Sequence, residues 1–251
     1  MIGIEKCSFP LSPKIIDLIS MTEKLSRNQI EILFKEEITD GARLLLDNYP
    51  IYITAASRIM NFIPQIIIVN KSKFDLTAFT HELFHLYLYS KGIWSLHSTH
   101  NEAAKQFSLE ITNTIDHIIF FHEGEKIGID FYSHQELSLN EAVKKWPMTN
   151  DKYVRFIDGI RYSLEMNFLT KDILIKEIWR KKAMDEDIAI VEIADIIINK
   201  IKNTNFDNSN ESNNLYRFIV DKIRRPNINL NNVFQLFRYD FINKRIVEEY
   251  I

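Results

Sequence analysis

The segment His81-Glu82-Leu83-Phe84-His85 carries the side chains of this sequence that are best suited to chemistry. Residues four positions apart lie on one face of a helix, so the imidazoles of His81 and His85 can bind one metal ion. Zinc in catalytic sites has three protein ligands and keeps a fourth position for water, whose pKa it lowers towards neutrality. Glu82 projects beside such an ion and can take the proton of that water. The spacing therefore predicts a zinc site with Glu82 as general base.

An ordinary amphipathic helix is the alternative interpretation of this segment. Two histidines and a neighbouring carboxylate can share such a helix without binding anything. From residue frequencies, roughly one or two chains of this size per hundred should contain this pattern by chance. The apolar neighbours Leu83, Phe84 and Leu86, and the β-like run that precedes the segment, favour the metal site.

Through the pattern His-Glu-x-x-His the sequence resembles the zincin metallopeptidases, over about residues 50–122. The resemblance implies a zinc peptidase in which a sheet edge strand precedes the active-site helix and holds the substrate backbone. Gln65–Val69 stands in the position of that strand. A second helix supplies the third ligand in this family. The metzincin signature is absent, because Ser90, Lys91 and Gly92 follow the motif, so the resemblance points to a gluzincin-like or divergent intracellular type.

Glu110 and His117 are the two candidates for the third ligand. Glu110 follows His85 after 24 intervening residues, a separation that gluzincin-like proteins use. His117 lies on the same helical face, seven residues further on. Seven residues rise about 10.5 Å along a helix, whereas a zinc ligand lies about 2 Å from the metal. We therefore expect Glu110 and His117 to be alternatives rather than partners. Gluzincins often have an Asp after this Glu that braces a zinc histidine, and Asn113 or Thr114 stands there instead.

Other polar residues around the motif have weaker claims to a role. Asp116 could brace a zinc histidine through its second ring nitrogen. An oxyanion donor could come from His122, Tyr132 or His134. Surface or structural positions explain these residues as well, and they also explain the remaining candidates, which are His97, His100 and Glu102.

Particular elements must position the motif. Residues 14–47 have mainly helical periodicity, and two β-like runs follow at Ile51–Thr54 and Gln65–Val69. Asp75 can cap a helix that ends near Gly92 and carries the motif near its middle.

A second helix follows, on which the third ligand would lie. Thr99 and Glu102 form a possible capping box for a helix to about Phe121, with Gly124 beyond its end. A short strand is expected at Ile127–Tyr132. Further helices are expected from about Lys152, most clearly over Asp185–Ile201, then over Asn213–Arg224 and in the last 20 residues.

These elements predict a predominantly helical α+β fold. We expect a zincin-like core with a small β-sheet before the active-site helix, over residues 1–140. Residues 141–251 would form a helical C-terminal region, which could pack on the first as one unit. With 46% hydrophobic residues, the chain can bury a substantial core.

Composition narrows the possible partners and location. Lys and Arg total 31 and Asp and Glu total 34, so the basic excess of a nucleic-acid-binding protein is absent. Cys7 is the single cysteine, which excludes an internal disulfide. No apolar run is long enough for a signal peptide or a membrane span, so we expect a cytoplasmic protein without membrane contact.

The sequence as a whole predicts a zinc-dependent hydrolase. An endopeptidase is expected, with a zinc-bound water activated by Glu82 and a peptide or protein as substrate. The rival hypothesis is a regulatory or protein-binding module on a zincin scaffold, with little or no general peptidase activity. A helical interaction protein with a chance motif would bind no metal at all.

Overall fold

The chain forms two structural units in the computed structural model, which describes residues 1–47, 54–224 and 233–251. One unit comprises Met1–Gly92 and Tyr239–Val247, and the other comprises Ile93–Arg238 and Glu248–Ile251. The chain therefore leaves the first unit at Gly92 and returns to it at Tyr239. The division into residues 1–140 and 141–251 that the sequence suggests stays a prediction.

An isoleucine-rich strand lies at the centre of the first unit's sheet. Within the described ranges, the strands β1 (Glu31–Phe34), β2 (Ala55–Met60) and β3 (Ile63–Ile68) pair in the order β1-β3-β2. β1 is parallel to β3, and β2 is antiparallel to it. Ile66, Ile67 and Ile68 are almost fully buried, as expected of a continuous apolar run that is covered on both faces. The prediction that Gln65–Val69 is an edge strand is therefore wrong, because β3 lies between β1 and β2.

The helices of the first unit confirm the predicted position of the motif. They are α1 (Pro13–Ser26), α2 (Ala42–Asp47) and α3 (Leu76–Ser90). Asp75 caps α3 by accepting a hydrogen bond from the backbone N–H of Ala78 at 2.8 Å. The strand β1 interrupts the region 14–47, which was expected to be mainly helical. Of the predicted strand Ile51–Thr54, all but Thr54 lies outside the described residues, and Thr54 precedes β2.

A two-residue turn joins β2 to β3. Asn61 and Phe62 have φ values of 51° and 63°, the pattern of the type I′ turns that match strand twist. A positive φ is rare for a bulky side chain such as phenylalanine. The Phe62 ring packs edge-on against Phe241 at 5.9 Å and against Tyr239 at 6.3 Å. These ring contacts hold the turn residue in its unusual conformation.

Two strands, not a helix, lie in residues 233–251, the part of the last 20 residues that the structure describes. β5 (Gln235–Asp240) and β6 (Arg245–Tyr250) replace the predicted helix. Asp240 accepts hydrogen bonds from the backbone and side chain of Asn243, and Lys244 has a φ of 48°. An Asx-type turn followed by a left-handed residue reverses the chain here, and this signal outweighs the apolar content of the segment.

The second unit is mostly helical. It contains the strand β4 (Ser95–His97), paired antiparallel with β5, and the helices α4 (Glu102–Ile127), α5 (Tyr132–Lys145), α6 (Lys152–Phe168), α7 (Ile173–Glu186), α8 (Ile188–Lys202) and α9 (Ser209–Ile223). α6 and α8 approach closely, because a Cβ on Gly159 would lie only 2.7 Å from Ile190. Asp187 separates α7 from α8 and caps α8, so the helix expected over Asp185–Ile201 begins later.

α4 starts and ends at other residues than the sequence indicates. Its N-cap is Asn101, which accepts from the backbone N–H of Ala104, so the proposed Thr99 capping box is wrong. The helix continues beyond Gly124, where a Cβ would collide with the ring of Phe131. It ends at Gly128, whose φ is 87°. The strand expected at Ile127–Tyr132 is therefore absent from this described segment, and Gly124 serves close packing rather than helix termination.

The described residues thus form a predominantly helical α+β fold with small sheets. In the part of the chain that the structure describes, no helix combines the length and apolar character that crossing a bilayer requires.

Candidate metal centre

α3 is a rigid support for the motif residues. Phe79, Leu83 and Leu86 are completely buried along one side of this helix. Since a helix buries its apolar stripe against the core, this packing fixes the rotation of α3 about its axis. His81 is half-buried and His85 is 5% exposed. The packing of α3 therefore fixes the side of the helix from which both imidazoles project.

The two imidazoles of α3 lie at a distance that suits one tetrahedral metal ion. The Nε2 atoms of His81 and His85 are 3.3 Å apart. Two zinc–nitrogen bonds of the usual length, at a tetrahedral angle, separate their nitrogens by about 3.3–3.4 Å. The same distance also allows one ring to donate a hydrogen bond to the other when no metal is bound. The helix therefore sets the two nitrogens at the spacing that zinc coordination uses.

His117 of α4 joins this pair in a group that could hold a metal ion. One ligand atom from each of His81, His85 and His117 lies within 4.8 Å of the other two. The His117 ring stacks on Phe121 at 5.1 Å and meets Phe120 edge-on at 5.3 Å. Three histidines are a ligand set of catalytic zinc sites, in which the fourth position stays open. The donor chemistry and the spacing are therefore compatible with a bound metal ion such as zinc.

Glu110, the other candidate for the third ligand, has different partners. Its carboxylate accepts a hydrogen bond from Gln106 and forms an ion pair with Arg161, whose Nε lies 2.8 Å from Oε2. Glu110 does not belong to the group of potential metal ligands found among the described residues. α4 is continuous from Glu102 to Ile127, so the helix rise still separates Glu110 from His117.

Glu82 lies between the two histidines in sequence and is half-buried. Burial raises the pKa of its carboxyl above the usual range. A positive charge on His85 lowers this pKa, and so do the hydrogen bonds that the side chain and backbone of Ser57 donate to the carboxylate. Ser57 belongs to β2. The predicted general base is thus anchored to the edge strand of the first unit's sheet.

The remaining candidates have varied surroundings. Asp116 is completely buried, directly before His117. Tyr132 has its pKa raised, mainly by burial, and Lys171 lies 4.5 Å from its ring centre. The other candidates whose side chains are described, His97, His100, Glu102 and His122, are exposed. His97 packs edge-on against Phe237, Glu102 forms an ion pair with Lys105, and His122 lies 4.0 Å from Glu125. The side chain of His134 lies outside the described part.

Ser57 is a residue of the site that the sequence did not reveal. Its contact with Glu82 depends on the pairing of β2 with β3 and on the packing of α3 against that sheet. The packing of α3 against the sheet joins segments that are distant in sequence, and a serine in a short strand has no distinctive spacing. The pairing Ser57↔Ile66 shows the register that brings this serine to the helix.

Comparisons of the chain with protein-family models, with curated proteins and with solved structures gave no match.

Proposed function

We propose that this protein is a zinc-dependent hydrolase, and that it acts as an endopeptidase. The observation that carries the proposal is the group formed by His81, His85 and His117, with Glu82 beside it on α3. If the motif had arisen by chance on an ordinary helix, there would be no reason to expect a third potential ligand near His81 and His85. The resemblance of the motif to zincin metallopeptidases favours peptide bonds as the substrate.

In this proposal each residue has a distinct role. His81, His85 and His117 hold the zinc ion, which when bound supplies Lewis-acid activation of water and of the substrate carbonyl. Glu82 accepts the proton released by water and returns it to the leaving amine. Ser57 holds the Glu82 carboxylate through its two hydrogen bonds.

The free edge of β2 suggests how a peptide would bind. No strand within the described ranges pairs with the side of β2 that faces away from β3. An extended peptide can add a strand at such an edge through backbone hydrogen bonds. Ser57 places this edge next to Glu82, so we propose that the substrate backbone lies along β2. This assigns to β2 the role that the sequence suggested for Gln65–Val69.

A single variant, Glu82→Gln, tests the hydrolase proposal. We expect it to keep stoichiometric zinc, because Glu82 is not a ligand, and to lose about 10²- to 10⁴-fold in hydrolysis, the usual contribution of a general base. The measurement is mass-spectrometric cleavage of a mixed peptide library, with zinc content determined on the same samples. His100→Ala, at an exposed position, is the control and should match the wild type.

Two results would contradict the proposal in different ways. A wild-type chain that binds zinc but cleaves nothing in the library, with Glu82→Gln indistinguishable from it, favours a binding module on a metal-containing scaffold. A chain that binds no zinc, with and without His85, excludes the metal centre itself.

A further inference from the structure

A buried ion-pair network links α4 to α6 within the second unit. Arg161 of α6 is 8% exposed. Its Nε lies 2.8 Å from Glu110 of α4, and its Nη1 lies 2.9 Å from Glu165, one turn further along α6. Thr114 of α4 donates its hydroxyl hydrogen bond to Glu165 at 2.8 Å. Two side chains of α4 are thus bound to a pair of charged groups on α6.

Such a network is more directional than apolar packing. Apolar side chains on two helices tolerate small sliding movements, because dispersion contacts depend weakly on orientation. A guanidinium has its donors in a fixed plane, and its hydrogen bonds to carboxylates weaken when that geometry changes. The Glu165 carboxylate, which accepts hydrogen bonds from both Arg161 Nη1 and the Thr114 hydroxyl, therefore restricts the rotation and the axial register of α4 against α6. The ion pair of Arg161 Nε with Glu110 adds charge attraction between the two helices without a directed hydrogen bond.

The network lies close to His117 along the same helix. Thr114 precedes His117 by three residues and Glu110 precedes it by seven, so all three lie near one face of α4. The rise from Thr114 to His117 is only about 4.5 Å. Metal–ligand distances must be kept within about 0.2 Å. Even a small sliding movement of α4, of the kind that the network prevents, would therefore displace His117 by more than a metal ligand tolerates.

We propose that Arg161, together with Glu165, is a positioning residue that sets the register of α4 and thereby the place of His117 within the second unit. This inference rests on the proposed function, in which His117 is the third ligand. Arg161 does not contact the metal or the substrate in this scheme. Its effect on metal binding passes through Glu110 and Thr114 to the backbone of α4.

Zinc affinity of the full chain, measured by competition with a chromophoric chelator, tests the inference. We expect Arg161→Met to weaken Zn²⁺ binding about 10- to 100-fold, the usual effect of residues that support metal ligands. Thr114→Val removes one hydrogen bond without changing side-chain size and should have a smaller effect of the same sign. Lys105→Met is the matched control, because it removes a cation that is paired with Glu102 at the surface of the same helix.

The His117→Ala background separates positioning from general stability. If Arg161 acts through His117, then Arg161→Met should cause no further loss of affinity in a chain that already lacks His117. The visible spectrum of bound Co²⁺ should change in Arg161→Met and remain unchanged in Lys105→Met. Arg161→Lys should restore part of the affinity, since it keeps the charge.

Each outcome decides a different point. Unchanged zinc affinity in Arg161→Met and Thr114→Val, alongside a loss in His117→Ala, overturns the positioning role and leaves the proposed function intact. An equal loss from Arg161→Met with and without His117 also overturns it. Unchanged affinity in His117→Ala contradicts the proposed ligand set itself. If Arg161→Met fails to fold, Thr114→Val decides the question by the same criteria.

Discussion

The spacing between the two imidazoles of α3 is a property of the helix. Residues four apart on one face place His81 Nε2 and His85 Nε2 3.3 Å apart, so this part of the site follows from the sequence alone. The identity of the third ligand does not follow from the sequence alone. Helix rise shows that Glu110 and His117 are alternatives, but the choice between them is not set by spacing along the chain. That choice depends on the tertiary packing of residues distant in sequence.

Removal of His117 should separate these two candidates. We expect His117→Ala to lower Zn²⁺ affinity by more than about 100-fold, because losing a ligand costs more than losing a residue that supports one. Glu110→Gln should lower it by roughly tenfold at most, because in the proposed site Glu110 supports α4 through its ion pair with Arg161 and does not bind the metal. The measurement is chelator competition at constant pH.

His122→Ala is the matched control for this comparison, because His122 is an exposed histidine on the same helix. It should leave the affinity unchanged. The opposite pattern, in which Glu110→Gln abolishes binding and His117→Ala does not, would identify Glu110 as the ligand.

At the level of elements, local signals predicted helices better than strands. Apolar periodicity and the Asp75 cap predicted α3 correctly. Periodicity alone predicted most of α4, since its cap is Asn101 and not Thr99. The central position of β3 and the hairpin of β5 and β6 could not be predicted. Strand order depends on pairing between segments such as Glu31–Phe34 and Ile63–Ile68, which lie some thirty residues apart. Short apolar runs do not specify such partners.

The interface between α4 and α6 should make stability depend on pH through Asp158. Burial raises the pKa of this carboxyl to about 6, Arg161 lowers it, and Glu110 and Glu165 raise it further. The folded state therefore binds this proton more tightly than the unfolded chain, in which an aspartate titrates near pH 4. The contribution of Asp158 to stability is fully present below about pH 4 and is lost as the pH rises through about 6.

Asp158→Asn should consequently stabilise the protein at pH 8 and have little effect at pH 4. Urea unfolding midpoints at the two pH values measure this difference. Asp185→Asn, at an exposed position near the end of α7, serves as the control. A midpoint shift for Asp158→Asn that is the same at both pH values would show that the effect is not one of titration.

At the scale of the whole molecule, the first unit is built from two distant parts of the chain. Tyr239 and Phe241 pack on Phe62 at the turn between β2 and β3, and Tyr239 also lies 6.2 Å from Tyr89 of α3. Phe241 is 5% exposed. The turn that aligns β2 with β3 therefore depends on residues almost 180 positions later.

Phe241→Ala should destabilise the first unit by about 3 kcal/mol, the lower end of the usual cost of truncating a buried phenylalanine. Faster amide hydrogen exchange over Ala55–Met60 would report the loss locally. Ile242→Ala is the control, since Ile242 is 66% exposed, and its effect should stay within about 0.5 kcal/mol. Equal exchange in both variants would show that the late residues do not support β2.

This discontinuity has a consequence for synthesis of the protein. Ribosomes add roughly 5–20 residues per second, so about 7–30 s separate the appearance of Gly92 from that of Tyr239. During that interval α3 and the β2–β3 hairpin exist without the aromatic side chains that later cover Phe62. The nascent chain must therefore expose the Phe62 ring to solvent throughout that interval.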